Sequence, residues 1–144
     1  MGVKEKVINF NIIPKKGLQL NSIWLLFGLS MENIKEILGS ADKIYTTDDD
    51  NIRWQYYDYF IELSFEKSDN YVLGWIEVYN KYVKIFDHEF IGKKKSEVIN
   101  YFNYELHENP EYEDYNSFEA IFYEKNWIEI QFQFNRLNNI NFGA

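Results

Sequence analysis

The chain contains no cysteine, so disulfides and thiolate metal sites are excluded. It has only 2 histidines in 144 residues, at positions 88 and 107, so imidazole chemistry has few places to stand. Its longest apolar run, residues 23–29, is far too short to span a bilayer. The first residues, MGVKEKVINFNIIPKKG, carry early lysines but no long apolar core and no small-residue cleavage site. No secretory leader is expected from them. Lys6 stands where a myristoylation signal needs Ser or Thr, so lipidation is not expected either. These absences together predict a soluble, cytoplasmic protein. No phosphate-cradling glycine loop and no nucleophile elbow is present. No cofactor is expected.

Positive charge is also scarce. There are 15 Lys and Arg against 23 Asp and Glu, a net charge of −8. That balance argues against binding nucleic acid, which requires cationic surface to neutralise phosphate. It permits binding to a basic protein. Between Lys95 and Lys125 there is no Lys or Arg at all. The gap holds Glu97, Glu105, Glu108, Glu111, Glu113, Asp114, Glu119 and Glu124. Those 8 acids equal the net charge, because acids and bases balance elsewhere. The stretch reads either as a solvated loop that keeps the protein soluble or as a docking surface for a cationic partner.

Aromatic residues are abundant, with 12 Tyr, 12 Phe and 4 Trp. Together with only 2 prolines and many isoleucines, they point to a sheet-rich domain. At 144 residues the chain is long enough for one domain with its own core.

The sequence nearly repeats itself. FIELSF at 60–65 returns as WIEIQF at 127–132. Upstream of each copy a glycine opens a helical pattern, GLSMENIKEIL at 28–38 and GKKKSEVINYF at 92–102. This spacing predicts a tandem duplication within a single domain, 1–144, with repeat one at about 18–85 and repeat two at about 86–144. In the first helix Ser30 is the expected N-cap and Gly39 the expected C-terminal stop. Ile34, Ile37 and Leu38 fall on one helical face, as do Val98, Tyr101 and Phe102 in the second helix, where Ser96 is the expected cap. Strands are expected near 7–13, from 52, at 61–65, 72–79, 118–123, 127–134 and 137–142. Turns are expected at Asp58-Tyr59, at 67–70, at Asn135 and at Asn138-Asn139, with the acidic stretch forming a loop. The predicted fold class is α+β: two helix-then-antiparallel-strand repeats forming one sheet, with helices on one face.

Alternation then assigns the uncovered face. Ile61, Leu63 and Phe65 point inward, with Glu62 and Ser64 outward. In the next strand Gly74, Ile76 and Val78 are placed inward, and Leu73, Trp75 and Glu77 outward. Trp127, Glu129, Gln131 and Gln133 are placed outward in the second copy. Tryptophans among carboxylates suit protein recognition, and equally suit cross-strand pairing within the sheet.

His88, flanked by Asp87 and Glu89, and His107, beside Glu108, could be read as a ribonuclease-like acid and base pair. No base lies near His107 to hold a phosphate, so surface histidines are the default reading. Asp48, Asp49 and Asp50 lack the spacing of a calcium loop and read as a polar turn. No metal site is expected.

The segment FGLSMENIKEILG at 27–39 resembles the opening of small bacterial proteins of tandem helix-plus-sheet build, which carry an FGMS..EV..LLG pattern. WQYYD at 54–58, IELSF at 61–65, LGWIEV at 73–78 and IGKKKSEV at 91–98 continue that pattern. The resemblance is to the β-lactamase-inhibitor-protein type of duplication and to immunity proteins of contact-dependent inhibition and related toxin systems. It covers residue 27 to the C-terminus. The turn after Asp58 carries Phe60 where such proteins usually carry glycine, which leaves that hairpin's geometry open. The resemblance implies an immunity protein, not an enzyme, whose partner is the C-terminal domain of a cognate toxin. A basic nuclease domain is expected, blocked at its active site or substrate channel, with no membrane involvement. Contact residues are expected in the acidic stretch (Glu105, Glu108, Glu111, Glu113, Asp114, Glu119) and on the open face (Trp75, Glu77, Trp127, Glu129). The alternative is a small-ligand or peptide-binding module using that same face.

Overall fold

A computed structural model of the protein describes residues 9–144. In chain order the first half contains β1 (Phe10–Ile13), β2 (Gly17–Leu20), β3 (Ile23–Leu26), α1 (Met31–Leu38), β4 (Lys43–Thr46), β5 (Ile52–Tyr56), β6 (Ile61–Phe65) and β7 (Leu73–Val78). The second half contains β8 (Lys84–Ile85), β9 (His88–Glu89), α2 (Lys95–Leu106), β10 (Glu111–Asp114), β11 (Glu119–Tyr123), β12 (Ile128–Gln133) and β13 (Arg136–Gly143). Residues 7 and 8 of the expected first strand lie outside the described part.

The strands form two sheets. The larger has eight strands in the order β10-β11-β12-β13-β7-β6-β5-β4. Its neighbours are all antiparallel, and each half of the chain supplies a four-strand meander. The meanders meet where β13 pairs with β7. The smaller sheet has five strands in the order β3-β2-β1-β8-β9.

This corrects the expected architecture of a single sheet covered by helices. The protein is mostly β, 46% strand against 19% helix, with two sheets. The inner face of the large sheet is covered by the small sheet together with the two helices. Phe10, Ile12, Leu18, Leu20 and Leu25 from the small sheet share one core with Ile61, Leu63, Ile128 and Ile130 from the large one. The Phe27 and Phe142 rings meet edge to face at 5.5 Å across the layers. The misreading has a local cause. Strands β2, β3 and β4 are four residues each, too short for alternation to stand out from loop sequence.

The helices follow their end signals unevenly. Ser30 Oγ accepts from the Asn33 amide at 3.1 Å, and Gly39 closes α1 at φ 81°. Ile34 is buried, whereas Ile37 is exposed. In α2 the cap position is Lys94, without a side-chain hydrogen bond, so Ser96 is not the cap. Val98 and Phe102 are fully buried. Two hydroxyls fasten helix ends to the sheet. Tyr56 Oη donates to the Gly39 carbonyl at 2.8 Å, and Tyr123 Oη lies 2.7 Å from Asn103 Oδ1.

The repeated segments are equivalent in burial. Ile61, Leu63 and Phe65 are fully buried, as are Ile128, Ile130 and, within 1%, Phe132. Each such side chain contributes about 1.5–3 kcal/mol by leaving water. Each segment is entered through a left-handed residue, Phe60 (φ 54°) and Trp127 (φ 52°). Phe60 thus takes the conformation a glycine would favour, at some backbone cost. A register shift between Ser64 and Phe65 sets Phe65 opposite Leu73. Leu73 is therefore buried and points inward, a correction to its expected outward placement. Asn138 and Asn139 lie within β13, and the turn before it is formed by Phe134 (φ 51°) and Asn135 (φ 64°).

Candidate binding face

The outer face of the large sheet is crossed by a row of residues in register through all eight strands. It runs Lys43, Gln55, Glu62, Glu77, Asn141, Glu129, Phe122 and Glu111. Four of the eight are carboxylates, and the cation sits at one end. The row on one side contains Arg53, Ser64, Trp75 and Gly143. On the other side lie Asn139, Gln131, Ala120 and Glu113. In the six inner strands alternation keeps these side chains off the core, because the residues between them, Trp54, Leu63, Ile76, Ile140, Ile130 and Ile121, are the buried ones.

The amides and phenols of the face hold its carboxylates. Glu62 Oε1 accepts from Tyr45 Oη and from Gln55 Nε2, both at 2.8 Å. Glu129 Oε2 accepts from Gln131 Nε2 at 3.0 Å. A chain of amides continues from there, Asn139 Nδ2 to Gln131 Oε1 at 3.2 Å and Asn141 Nδ2 to Asn139 Oδ1 at 2.6 Å. Glu77 stands between these groups. Burial, then the charges of Glu62 and Glu129, push its carboxyl up from 4.5 to about 7. Burial raises the Tyr45 phenol to about 12, helped by its bond to Glu62. Tyr79, beside Glu77, is raised by burial first and by the Glu77 charge second.

Trp75 reaches the second half of the sheet because position 143 is glycine. A Cβ at Gly143 would collide with the Trp75 ring. Without one, the indole lies across β13 and helps wall a hollow of about 270 Å³ on the β10–β12 side. Phe122 and Tyr115 provide further aromatic wall, and Glu111, Glu113 and Glu129 the carboxylates. The Glu113 carboxylate bonds the Tyr115 hydroxyl and raises that phenol. A second, shallower hollow of about 410 Å³ includes Glu62, Glu77 and Tyr79.

The structure therefore divides the residues expected at a binding site. Trp75, Glu77, Glu129, Glu111 and Glu113 share the outer face. Trp127 stands at its margin, 46% exposed, its ring 6.0 Å from Phe122. The other acids are elsewhere. Glu105 is exposed on α2, which packs against the inner face through Phe102 and Tyr123. Glu108 accepts from the Lys125 amide at 2.9 Å and from Asn126 Nδ2 at 2.8 Å, tying the end of α2 to the turn after β11. Asp114 accepts from the Asn116 amide at 2.9 Å and shapes the β10–β11 turn. Glu119 is ion-paired with Lys95 at the start of α2. The acidic stretch is also not a loop, since residues 111–114 form an edge strand. Its charges suit an edge, because they discourage pairing with another chain.

Phe122, Ala120, Gly143 and the amides of β13 also belong to this face, without a local sequence signal for it. The aromatic content of β11 conceals its alternation, since Phe122 points outward while Tyr123 points inward. Nothing in the local sequence marks Gly143, whose role depends on a ring 68 positions earlier.

The histidines do not form a pair. His88 sits on β9 with its ring 5.1 Å from Tyr101, and His107 closes α2 in a left-handed conformation. Six residues of helix separate Tyr101 from His107, about 9 Å along the axis. Asp50 is in a left-handed turn, 3.6 Å from Lys67 Nζ. Among the described residues no group of three or more His, Asp or Glu is placed to hold a metal ion. No described helix is long and apolar enough to cross a membrane.

No protein-family model matches this chain, and no curated protein matches it. Among solved structures, it is similar to an extracellular protein containing a SCP domain from Bacillus anthracis str. Ames, with a TM-score of 0.51 and 16% identity. The likeness covers 92% of this chain and 50% of that one, so this chain spans about half that protein's length. At this identity the likeness concerns the fold.

Proposed function

We propose that this protein binds and neutralises a cationic protein through the outer face of its large sheet, as an immunity protein does its toxin. The observation that carries this reading is the row of carboxylates crossing the sheet beside Trp75, with the basic residues of these rows, Lys43 and Arg53, at the β4–β5 end. Such a face repels nucleic acid and attracts a basic surface. A nuclease domain is the partner of choice, because its substrate is anionic and its working surface is cationic. The resemblance of the repeat segments to bacterial immunity proteins points the same way.

The dimensions support a face-to-face complex. Seven strand spacings of about 4.8 Å make the face about 34 Å wide, and five residues of strand make it about 17 Å long. That is on the order of 600 Å² in projection, and side-chain relief brings it near the ~800 Å² per partner of a standard interface. Trp75, central and walled by carboxylates, is the expected anchor.

Co-expression with the toxin domain encoded by the adjacent upstream gene tests the proposal. Protection of the cells and co-purification of the two proteins are expected. Trp75→Ala with Glu129→Lys should abolish both, while Glu105→Lys on α2 should preserve them. Equal protection by the two variants would place the interface elsewhere. No protection and no co-purification by the unaltered protein would reject the function.

A further inference from the structure

The hollow bounded by Trp75, Phe122 and Tyr115 has a composition that specifies its occupant more closely than the face as a whole. At about 270 Å³ it falls below the ~300 Å³ at which pockets begin to enclose drug-sized ligands. It is large enough for one side chain. Its floor is Ala120, only 4% exposed, whose methyl group leaves depth that a longer side chain would fill.

Its charges are arranged around a ring. Glu111 and Glu129 are the two cross-strand partners of Phe122, one on each side. Two strand spacings separate them, about 9.6 Å, with Phe122 midway. A cation stacked on the Phe122 ring would therefore have a carboxylate on either flank. Glu113 adds a third carboxylate next along β10, opposite Ala120. Among the described residues no Lys or Arg lines the hollow.

We propose that this hollow receives an arginine side chain from the protein partner, with its guanidinium stacked on Phe122 and Trp75 and its N–H groups donating to Glu111 and Glu129. A planar cation suits this site better than a lysine ammonium. The guanidinium offers a flat face to the rings and donors along two edges, whereas an ammonium is a compact point charge that stays strongly hydrated. A hard metal ion would gain nothing from aromatic walls. The inference rests on the proposed binding face and names the chemistry of the residue that anchors there.

The test uses the whole protein and small probes. The ¹⁵N-labelled chain is titrated with N-acetyl-argininamide, N-acetyl-lysinamide and N-acetyl-citrullinamide, which is near-isosteric with the arginine probe but uncharged. Saturable shifts of the Trp75 indole N–H and of the Glu111 and Glu113 amides are expected with the arginine probe. The lysine probe should bind more weakly and the citrulline probe should not saturate. The Trp54 indole, on the inner face, should not move. Glu111→Gln with Glu129→Gln should weaken the arginine probe at least tenfold, and the amide spectrum of that variant reports whether it folds. Absence of saturable shifts, equal response to citrulline, or shifts centred elsewhere would overturn the inference without need of any variant. A toxin complex that forms through this face while the probes are silent would remove the arginine and leave the proposed function. Arginine binding with no protein partner would do the reverse.

Discussion

Replacing Glu77 by Gln should stabilise the protein above pH 7 and leave its stability nearly unchanged below pH 5. Glu77 faces Glu62 of β6 directly, and Glu129 of β12 beyond Asn141 of β13. Glu62 and Glu129 accept hydrogen bonds from Tyr45, Gln55 and Gln131, and no donor is directed at Glu77 itself among the described residues. The folded protein therefore keeps the Glu77 proton up to about pH 7, while the unfolded chain releases it near 4.5. Between those values the folded state binds more protons, so stability falls as pH rises, and the loss persists above pH 7. At about 1.4 kcal/mol per pH unit the ceiling is about 3 kcal/mol. Solvent at the face screens the repulsion, so about 1–2 kcal/mol is the working figure. For a domain of this size that corresponds to roughly 4–7 °C in melting temperature. Denaturant unfolding of both proteins at pH 5 and pH 8 measures it. A gain for the Gln variant that is the same at both pH values would refute the reasoning, as would a loss at pH 8. Either outcome would mean that the carboxylates do not repel as their register implies.

Three further outcomes are expected. Glu111→Lys with Glu113→Lys should slow association with the basic partner at least tenfold at low salt, whereas Asp114→Lys should change it little. Stopped-flow kinetics over a range of salt concentrations would show this, and equal effects would return the whole acidic stretch to the interface. Gly143→Ala should drive the Trp75 ring off β13 and weaken partner binding by about 1–2 kcal/mol, read by calorimetry with Trp75 fluorescence as a check on ring position. Phe134→Asn should raise stability by about 0.5–1 kcal/mol. Phe134 is 97% exposed at φ 51°, in a two-residue turn that Asn enters with less strain. A fall in melting temperature would show that the exposed ring has a contact of its own in solution.

How much of this was legible beforehand depended on the range of the interaction concerned. Helix ends were partly readable, because a cap is a contact over three residues: Ser30 and Gly39 behave as expected, while Ser96 does not. The expected inward residues of 61–65 and their counterparts at 128–132 are buried because alternation is a property of the strand itself. Leu73 faces inward against simple alternation because its own strand carries an extra, unpaired residue, Gly74, where it pairs with β6. The acidic stretch is not one surface. In a strand, successive residues point to opposite faces, so Glu111 and Glu113 part company with Tyr112 and Asp114.

The sequence alone determined the sheet-rich character, the repeated buried triplets, the excess of acid and the lack of cysteine chemistry. Those are matters of composition and of period two, and they need no partner strand. Tertiary structure decided which strands became neighbours. Only the pairing of β13 with β7 brings Trp75 and Glu77 beside Glu129 and Phe122, over 40 residues away in sequence. It also decided that a second sheet covers the inner face and that Gly143 yields its space to an indole. Such contacts close long loops, and their cost and reward are set by the whole fold rather than by any local pattern.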